Sequence, residues 1–276
     1  MITSFIIVTY NSQRYLCEAI ESIFSQTKDN YQIIIVDNNS DNTDYLNEYL
    51  NSDKVKLFLL QSNLGYCGGN NFGINQCFLE SSLIIIMNPD IILPTNFLMK
   101  VDHEVNLLYM KKTNFGVIGS KLVNDLGRTP HNFVDSSGIF QTWYGKWYDR
   151  GQGEIDCGLY DSDAYEEVPA ICGALMVLNP LALAKVRISK TEYFKEKFFM
   201  YKEDIDLSLR ISKAGFGVFY FSKLTATHIR GWKSRREQIK KFKIMSAKNE
   251  LKINEKLGII KKTYSKLKLL MVKLGY

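Results

Sequence analysis

The chain has 276 residues, 46% hydrophobic, 23% charged and 13% aromatic. That balance supports a large buried core, as one big domain or two small ones, and excludes a disordered or collagen-like chain. The net charge of +6, from 35 Lys and Arg against 29 Asp and Glu, is mild for this length and does not by itself argue for a nucleic-acid partner.

The N-terminus runs Met1-Ile2-Thr3-Ser4-Phe5-Ile6-Ile7-Val8 and meets polar Thr9-Tyr10-Asn11 at once. It has no basic leader and too short an apolar run for a signal peptide, so the expectation is a cytoplasmic chain starting at Met1. Cys17, Cys67, Cys77, Cys157 and Cys172 form no CxxC pair and no metal-ligand spacing, which suits reduced thiols acting as small buried apolar residues.

Up to about residue 90 one grammar repeats: a β-branched run, a polar turn, then helical spacing. Phe5-Ile6-Ile7-Val8 is followed by Tyr15, Leu16, Ala19, Ile20, Ile23 and Phe24 at intervals of three and four. Ile33-Ile34-Ile35-Val36 runs into Asp37-Asn38-Asn39-Ser40, with Tyr45, Leu46, Tyr49 and Leu50 periodic behind it. Val55 to Leu60 leads to a Gly- and Asn-rich loop over residues 61 to 73, and Leu83-Ile84-Ile85-Ile86-Met87 ends at Asn88-Pro89-Asp90. Strands apolar on both faces and alternating with helices imply a mainly parallel sheet covered on both sides. Such α/β folds bind ligands at the carboxyl ends of their strands.

Residues 125 to 165 are rich in Gly, Asp, Trp and Tyr, and read as long loops or short antiparallel strands. Their aromatic residues, including Trp143 and Trp147, make either a sugar-stacking wall or a small satellite core. Ile171-Cys172-Gly173-Ala174-Leu175-Met176-Val177-Leu178 reads as another buried strand. Glu203-Asp204-Ile205-Asp206-Leu207 opens a helix stopped by Gly215, with Asp206 and Arg210 spaced for an ion pair.

From Lys233 to Tyr276 there are 14 Lys and Arg against 3 acidic residues, which leaves residues 1 to 232 at −5. Apolar residues such as Ile239, Phe242, Leu251, Ile260, Leu267 and Leu274 thread this basic tail at roughly helical intervals. Two readings stand: a basic amphipathic helix on an anionic membrane surface, or a helical hairpin packed on the domain or on a second subunit of a homodimer. No nucleic-acid recognition module accompanies the basic residues.

Asp37, Asp90 and Glu203-Asp204 all fall at predicted strand ends, in the register of the ligand crevice, and His228 adds a metal-binding side chain. An isolated Asp after a strand is ordinarily a turn former or cap; the set is what points to chemistry. The loop at 61 to 73 offers glycines and amides, among them Asn63, Gly65 and Asn70, for ribose or diphosphate oxygens. It is neither GxGxxG nor a P-loop.

Val8-Thr9-Tyr10-Asn11, Val36-Asp37-Asn38-Asn39-Ser40, Asn63-Leu64-Gly65-Tyr66 through Asn70, Asn88-Pro89-Asp90, Gly173-Ala174 and Tyr201-Lys202-Glu203-Asp204-Ile205-Asp206-Leu207 occur in this order. Together they resemble family 2 glycosyltransferases of the GT-A fold, a Rossmann-like α/β architecture, and within that family the bacterial rhamnosyltransferase-type branch. The resemblance spans about residues 1 to 235. It implies a nucleotide-sugar part over about 1 to 115, an acceptor part over about 116 to 232, and a tail over 233 to 276. It also implies a hexosyltransferase that moves a sugar, rhamnose from dTDP-rhamnose as first choice, to a glycan or polyprenyl-diphosphate-linked acceptor in bacterial surface polysaccharide synthesis. Such an enzyme would work in the cytoplasm or at the inner face of the cell membrane.

By that resemblance, Thr9, Asn11 and Asp37 hold the base and ribose. Asp90 binds Mg²⁺ or Mn²⁺, with Asn88 standing where many members have a first Asp and His228 as a second ligand. What the reaction needs adds the rest: an acceptor hydroxyl requires a base, for which Asp204 is the candidate in an inverting transfer, Glu203 orients Asp204 or the acceptor, and Arg230 either contacts the diphosphate or is a solvated surface arginine. Retaining or nucleotidyltransferase chemistry, or a non-catalytic sugar-binding protein, are the alternatives.

Overall fold

A computed structural model of the chain describes residues 1–78, 80–124, 132–229 and 239–275. In chain order its elements begin with β1 (Thr3–Thr9), α1 (Leu16–Phe24), β2 (Tyr31–Asp37), β3 (Val55–Leu59), α2 (Gly65–Ile74), β4 (Leu83–Met87) and β5 (Ile91–Ile92). Next come α3 (Phe97–Met110), β6 (Phe115–Asn124), β7 (Phe133–Ser136), β8 (Ile139–Gln141), β9 (Trp147–Asp149) and β10 (Glu166–Glu167). The chain continues through β11 (Leu175–Leu178), α4 (Pro180–Val186), α5 (Glu203–Lys213), β12 (Gly217–His228), α6 (Lys240–Asn254) and α7 (Ile259–Leu274).

The main sheet has the order β10-β12-β6-β11-β4-β1-β2-β3. The pairs β1/β2, β2/β3, β1/β4 and β6/β12 are parallel, whereas β11 runs antiparallel to both β4 and β6. This reversal matters for the site. The residues leading into β11 lie at the same end of the sheet as the carboxyl ends of its neighbours.

Alternation sorts the strand side chains between two apolar layers. Phe5, Ile7, Ile33 and Ile35 pack with Leu16, Ala19 and Ile20 of α1 and Val101 and Val105 of α3. Ile6, Ile34 and Val36 pack on the opposite face with Cys67 and Ile74 of α2, Leu183 of α4 and Ile205 and Ile211 of α5. Both faces are therefore covered, the condition under which strands carry continuous apolar runs.

Three local expectations change. The segment over 61 to 73 is not a loop throughout, because α2 begins at Gly65. Glycine is a poor helix former, but a Cβ on Gly69 would lie 2.6 Å from Val8 Cγ1 and one on Gly73 2.5 Å from Ile6 Cγ2. The glycines let α2 lie flush on β1, and tertiary packing overrides propensity. The periodic segment behind Ser40 closes as a 3₁₀ turn over Asp44–Tyr49, and the strand expected from Ile171 starts only at Leu175.

In the tail, α6 packs against α7, with Glu250 facing Lys268 and Asn254 facing Ser265, so the two helices run antiparallel. Ile253 of α6 is part of the sheet-covering core. The Asn254 side chain donates to Gly145 O and accepts from Trp147 Nε1–H. Trp147 is thus a buried core residue, while Trp143 stands 78% exposed; no wall of two tryptophans forms.

Candidate active site

The register of β1 on β2 places Thr9 beside Asp37 at their carboxyl ends. Asp37 is fully buried. Thr9 Oγ1 donates to its Oδ2 at 3.0 Å, and the Ser40 amide donates to its Oδ1 at 2.9 Å. These bonds offset the cost of burying a carboxylate. Asn11, in the left-handed region at φ 51°, donates from its side-chain amide to Asp41 Oδ2 and accepts at Oδ1 from the Asp41 backbone amide. The β1 and β2 turns are thereby latched together beside Asp37.

Asn38 extends this corner towards α2. Its side chain donates to Gly65 O at 2.9 Å and accepts from Leu64 N, while Asn63 Oδ1 accepts from Gly65 N at 2.8 Å. Gly65 has φ +71°, and a Cβ there would meet Phe199 O at 2.5 Å. Asn70, farther along α2, donates to Tyr66 O and lies inside the fold at 1% exposure.

The turn after β4 is stitched to the start of β11 and the end of β12. Asn88 N donates to Ala174 O, and Asp90 O accepts from Ile229 N. Asp90 is 1% exposed, and His228, at the end of β12, brings Nε2 to 3.4 Å from its Oδ1. The other imidazole nitrogen, Nδ1, lies 2.8 Å from Asp135 Oδ2. Burial disfavours the charged imidazole, but hydrogen bonds and charge from Asp135 and Asp90 outweigh it and raise its pKa to about 9.

Asp204 occupies the first turn of α5, as its spacing predicts. Gly173 N donates to its Oδ2 at 3.0 Å and Ile205 N to its Oδ1 at 2.8 Å. The first-turn position favours the ionised form, yet burial dominates and raises the carboxyl above the ordinary aspartate value, against Lys202 and those two amides. Glu203 precedes it at the start of α5. It is 6% exposed, and among the described residues its Oε2 has no hydrogen-bond partner; burial with the adjacent Asp204 charge raises its carboxyl well above the usual range.

Three side chains complete the site without a distinctive sequence signal. Asp135 orients His228. Asp149, at the end of β9, is pushed up to about 7 by burial, with Lys202 opposing and the charges of Asp135 and Asp204 adding to the rise. Asn249 of α6 donates to the carbonyls of Phe198, Met200 and Tyr201 at 2.9, 3.0 and 3.0 Å. Phe199, Tyr201 and Lys202, just before α5, all have positive φ, a costly conformation for residues with side chains. Only their convergence in space marks these residues. Arg230 lies outside the described residues.

Two groups therefore gather at one end of the sheet. Thr9, Asn11, Asp37, Asn63 and Gly65 line one part, and Asp90, His228 and Asp204 the other, with Asp135 and Asp149 beside them. Among the described residues no cluster of three or more His, Cys, Asp or Glu has the arrangement of a complete metal cage. Asp90 and His228 nevertheless suit a hard divalent cation that keeps open positions for substrate oxygens, and Asp135 supplies the outer partner that fixes a ligating imidazole.

The mixed sheet, with acidic residues at strand ends and a carboxylate opening α5, defines a GT-A-type architecture. The Glycosyl transferase family 2 model matches residues 4–155, and the chain belongs to that family. The low-salt glycan biosynthesis hexosyltransferase Agl10 of Haloferax volcanii is 23% identical over 230 residues, 82% of this chain and 66% of that protein. An uncharacterized glycosyltransferase of Haemophilus influenzae is 30% identical over 155 residues, 50% of this chain and 48% of its own. The chain thus spans less than two thirds of the length of either relative.

Among solved structures, GalNAc-T7 with UDP, GalNAc and Mn²⁺ superposes with a TM-score of 0.70 at 16% identity, covering 92% of this chain and 48% of that one. S. aureus TarS 1-349 in complex with UDP-GlcNAc gives 0.57 at 16% identity over 98% and 70%. At this identity the likeness shows the fold.

Proposed function

We propose that this protein is an inverting hexosyltransferase that takes its sugar from a nucleoside diphosphate donor and passes it to an acceptor hydroxyl. The observation that carries this reading is the position of Asp204. Its carboxylate is held by two backbone amides, on the same end of the sheet as Asp37 and Asp90, with a basicity raised by burial. An acceptor hydroxyl is a weak nucleophile until a base removes its proton. Asp204 takes that proton as the oxygen attacks the anomeric carbon opposite the diphosphate.

Thr9, Asn11 and Asp37 receive the base and ribose, and Asn63, Gly65 and Asn70 shape the wall beside them. Asp90 and His228 are the residues that would hold Mg²⁺ or Mn²⁺, which when bound neutralises charge on the departing diphosphate. Asp90, Asp135 and Asp204 sit here against Lys202 and His228, which leaves no surplus of positive charge, so a dianionic diphosphate requires more. Arg230, two residues beyond His228, is assigned to the same diphosphate. dTDP-rhamnose is the first donor, and a glycan or polyprenyl-diphosphate-linked acceptor of a bacterial surface polysaccharide the first acceptor class.

The test is a screen of dTDP-, UDP- and GDP-sugars with Mg²⁺ and Mn²⁺, read by thermal protection and donor hydrolysis. NMR of the product anomer follows. Protection by one nucleotide class with inverted product supports the reading; retained configuration overturns the role of Asp204, and absence of protection by every donor overturns the transfer itself.

A further inference from the structure

The outer face of α7 carries an apolar stripe that none of the described residues covers. Ile260, Leu267, Leu270, Met271 and Leu274 are each between 53% and 66% exposed. Their spacing of seven, three, one and three residues sets them on one side of a helix. Ser265 and Val272, on the opposite side, are buried against the rest of the tail. The exposure is therefore a property of the helix face and not of a frayed end.

Lysines border the stripe on both edges. By helical geometry Lys266 and Lys273 follow one edge, with half-buried Lys262 behind them, and Lys261 and Lys268 the other, and α7 contains no acidic residue. Lys261 bonds to Gln141 and Lys268 to Glu250, so those two are engaged within the chain.

An aromatic group adjoins the first half of the helix. Tyr264 packs on Tyr144 with ring centroids 5.0 Å apart, and Tyr144 on Trp143 at 5.5 Å. Trp143, with its 78% exposure, is a large amphipathic ring joined to α7 through Tyr144 and Tyr264, the kind favoured at a bilayer interface. No helix among the described residues is long and apolar enough to cross a membrane, and the exposed apolar face of α7 bordered by lysines is the pattern of a helix that lies in the interface plane.

We infer that the α7 face is a docking surface for an anionic lipid bilayer, with the apolar stripe entering the acyl boundary and Lys262, Lys266 and Lys273 contacting anionic headgroups. Charge selects this occupant. A second copy of the same face would set one lysine border against another, whereas anionic lipid neutralises both the lysines and the wider +11 tail. The inference does not depend on the transfer reading, since its readout is binding and not turnover.

Full-length protein is mixed with vesicles of phosphatidylcholine alone or with about 30% phosphatidylglycerol, and bound protein is measured by flotation. Selective binding to the anionic vesicles is expected. The double variant Leu267→Asp/Met271→Asp loses at least ~10-fold, and the triple variant Lys262→Glu/Lys266→Glu/Lys273→Glu loses on the order of 100-fold at low salt. Because none of these five side chains is buried, both variants are expected to keep the wild-type melting temperature. Equal binding to neutral and anionic vesicles, or binding unchanged in both variants, overturns the inference. So does a concentration-dependent dimer that the Leu267→Asp/Met271→Asp variant abolishes, which would assign the face to a second copy.

Discussion

Gly173 N donates to Asp204 Oδ2 at 3.0 Å, and the Gly173 carbonyl accepts from Tyr66 Oη–H at 2.6 Å. One residue thus links α2 to the first turn of α5. The space is closed, since a Cβ on Gly173 would stand 3.0 Å from the Tyr66 hydroxyl and 3.3 Å from Asp204 Cβ. The proposed base is held by backbone, which fixes its direction without competing for its proton.

Asp204→Asn keeps the size of the side chain and removes its basicity. Turnover is expected to fall by roughly 10²–10⁴-fold, with nucleotide affinity within about twofold of wild type by calorimetry, a difference of about 0.4 kcal/mol. Undiminished turnover would falsify its role as base.

Asp37→Ala strips the acceptor from Thr9 Oγ1 and the Ser40 amide in a buried corner. Unpaired buried polar groups cost about 1–3 kcal/mol each. A lower melting temperature together with loss of nucleotide protection is expected, while Asp37→Asn recovers part of the stability. Full nucleotide protection in the alanine variant would remove Asp37 from the binding corner.

Glu203 is a buried carboxyl whose charged form the fold disfavours. A raised native pKa means that the native state holds its proton over a pH range in which the unfolded chain has lost it. The group therefore withdraws stability as pH rises from the ordinary glutamate range through the native pKa. Glu203→Gln is expected to melt higher than wild type above that window and equally below it, by about 2–4 °C for each kcal/mol recovered. Melting curves at acidic and neutral pH check this; a variant less stable at every pH contradicts it.

Asn249→Ala removes the Nδ2 amide, whose two hydrogens are shared among three carbonyls of the strained 198–202 turn. A loss of about 1–3 kcal/mol follows at roughly 1 kcal/mol per hydrogen bond, and kcat is expected to drop more than donor affinity because α5 begins at the next residue. Asn249→Asp, which cannot donate, should be no better than alanine. A variant with wild-type kcat and only reduced stability would make Asn249 purely structural.

The strands were legible because burial on both faces writes itself as Ile and Val runs such as Ile33-Ile34-Ile35-Val36, and the carboxylates of interest were legible because they follow those runs. Asp135, Asp149 and Asn249 were not. Each sits in a segment without periodicity or motif, and each acquires meaning from a partner far along the chain: His228 is 93 residues from Asp135, and Asn249 is about 50 from the carbonyls it holds. Glycine-rich α2 was misread for the converse reason, because local propensity carries no record of the strand against which its glycines pack.

By itself the sequence determined the alternating α/β plan, the acidic residues at its strand ends and the division of charge between a −5 body and a +11 tail. These are properties of residue order and need no third dimension. Tertiary structure decided that β11 reverses and so brings Gly173 to Asp204, that Glu203 turns inward, and that α6 docks on the domain while α7 keeps its apolar stripe outside. Contacts between distant segments set these outcomes, and their energies depend on distance, burial and direction, none of which residue order specifies.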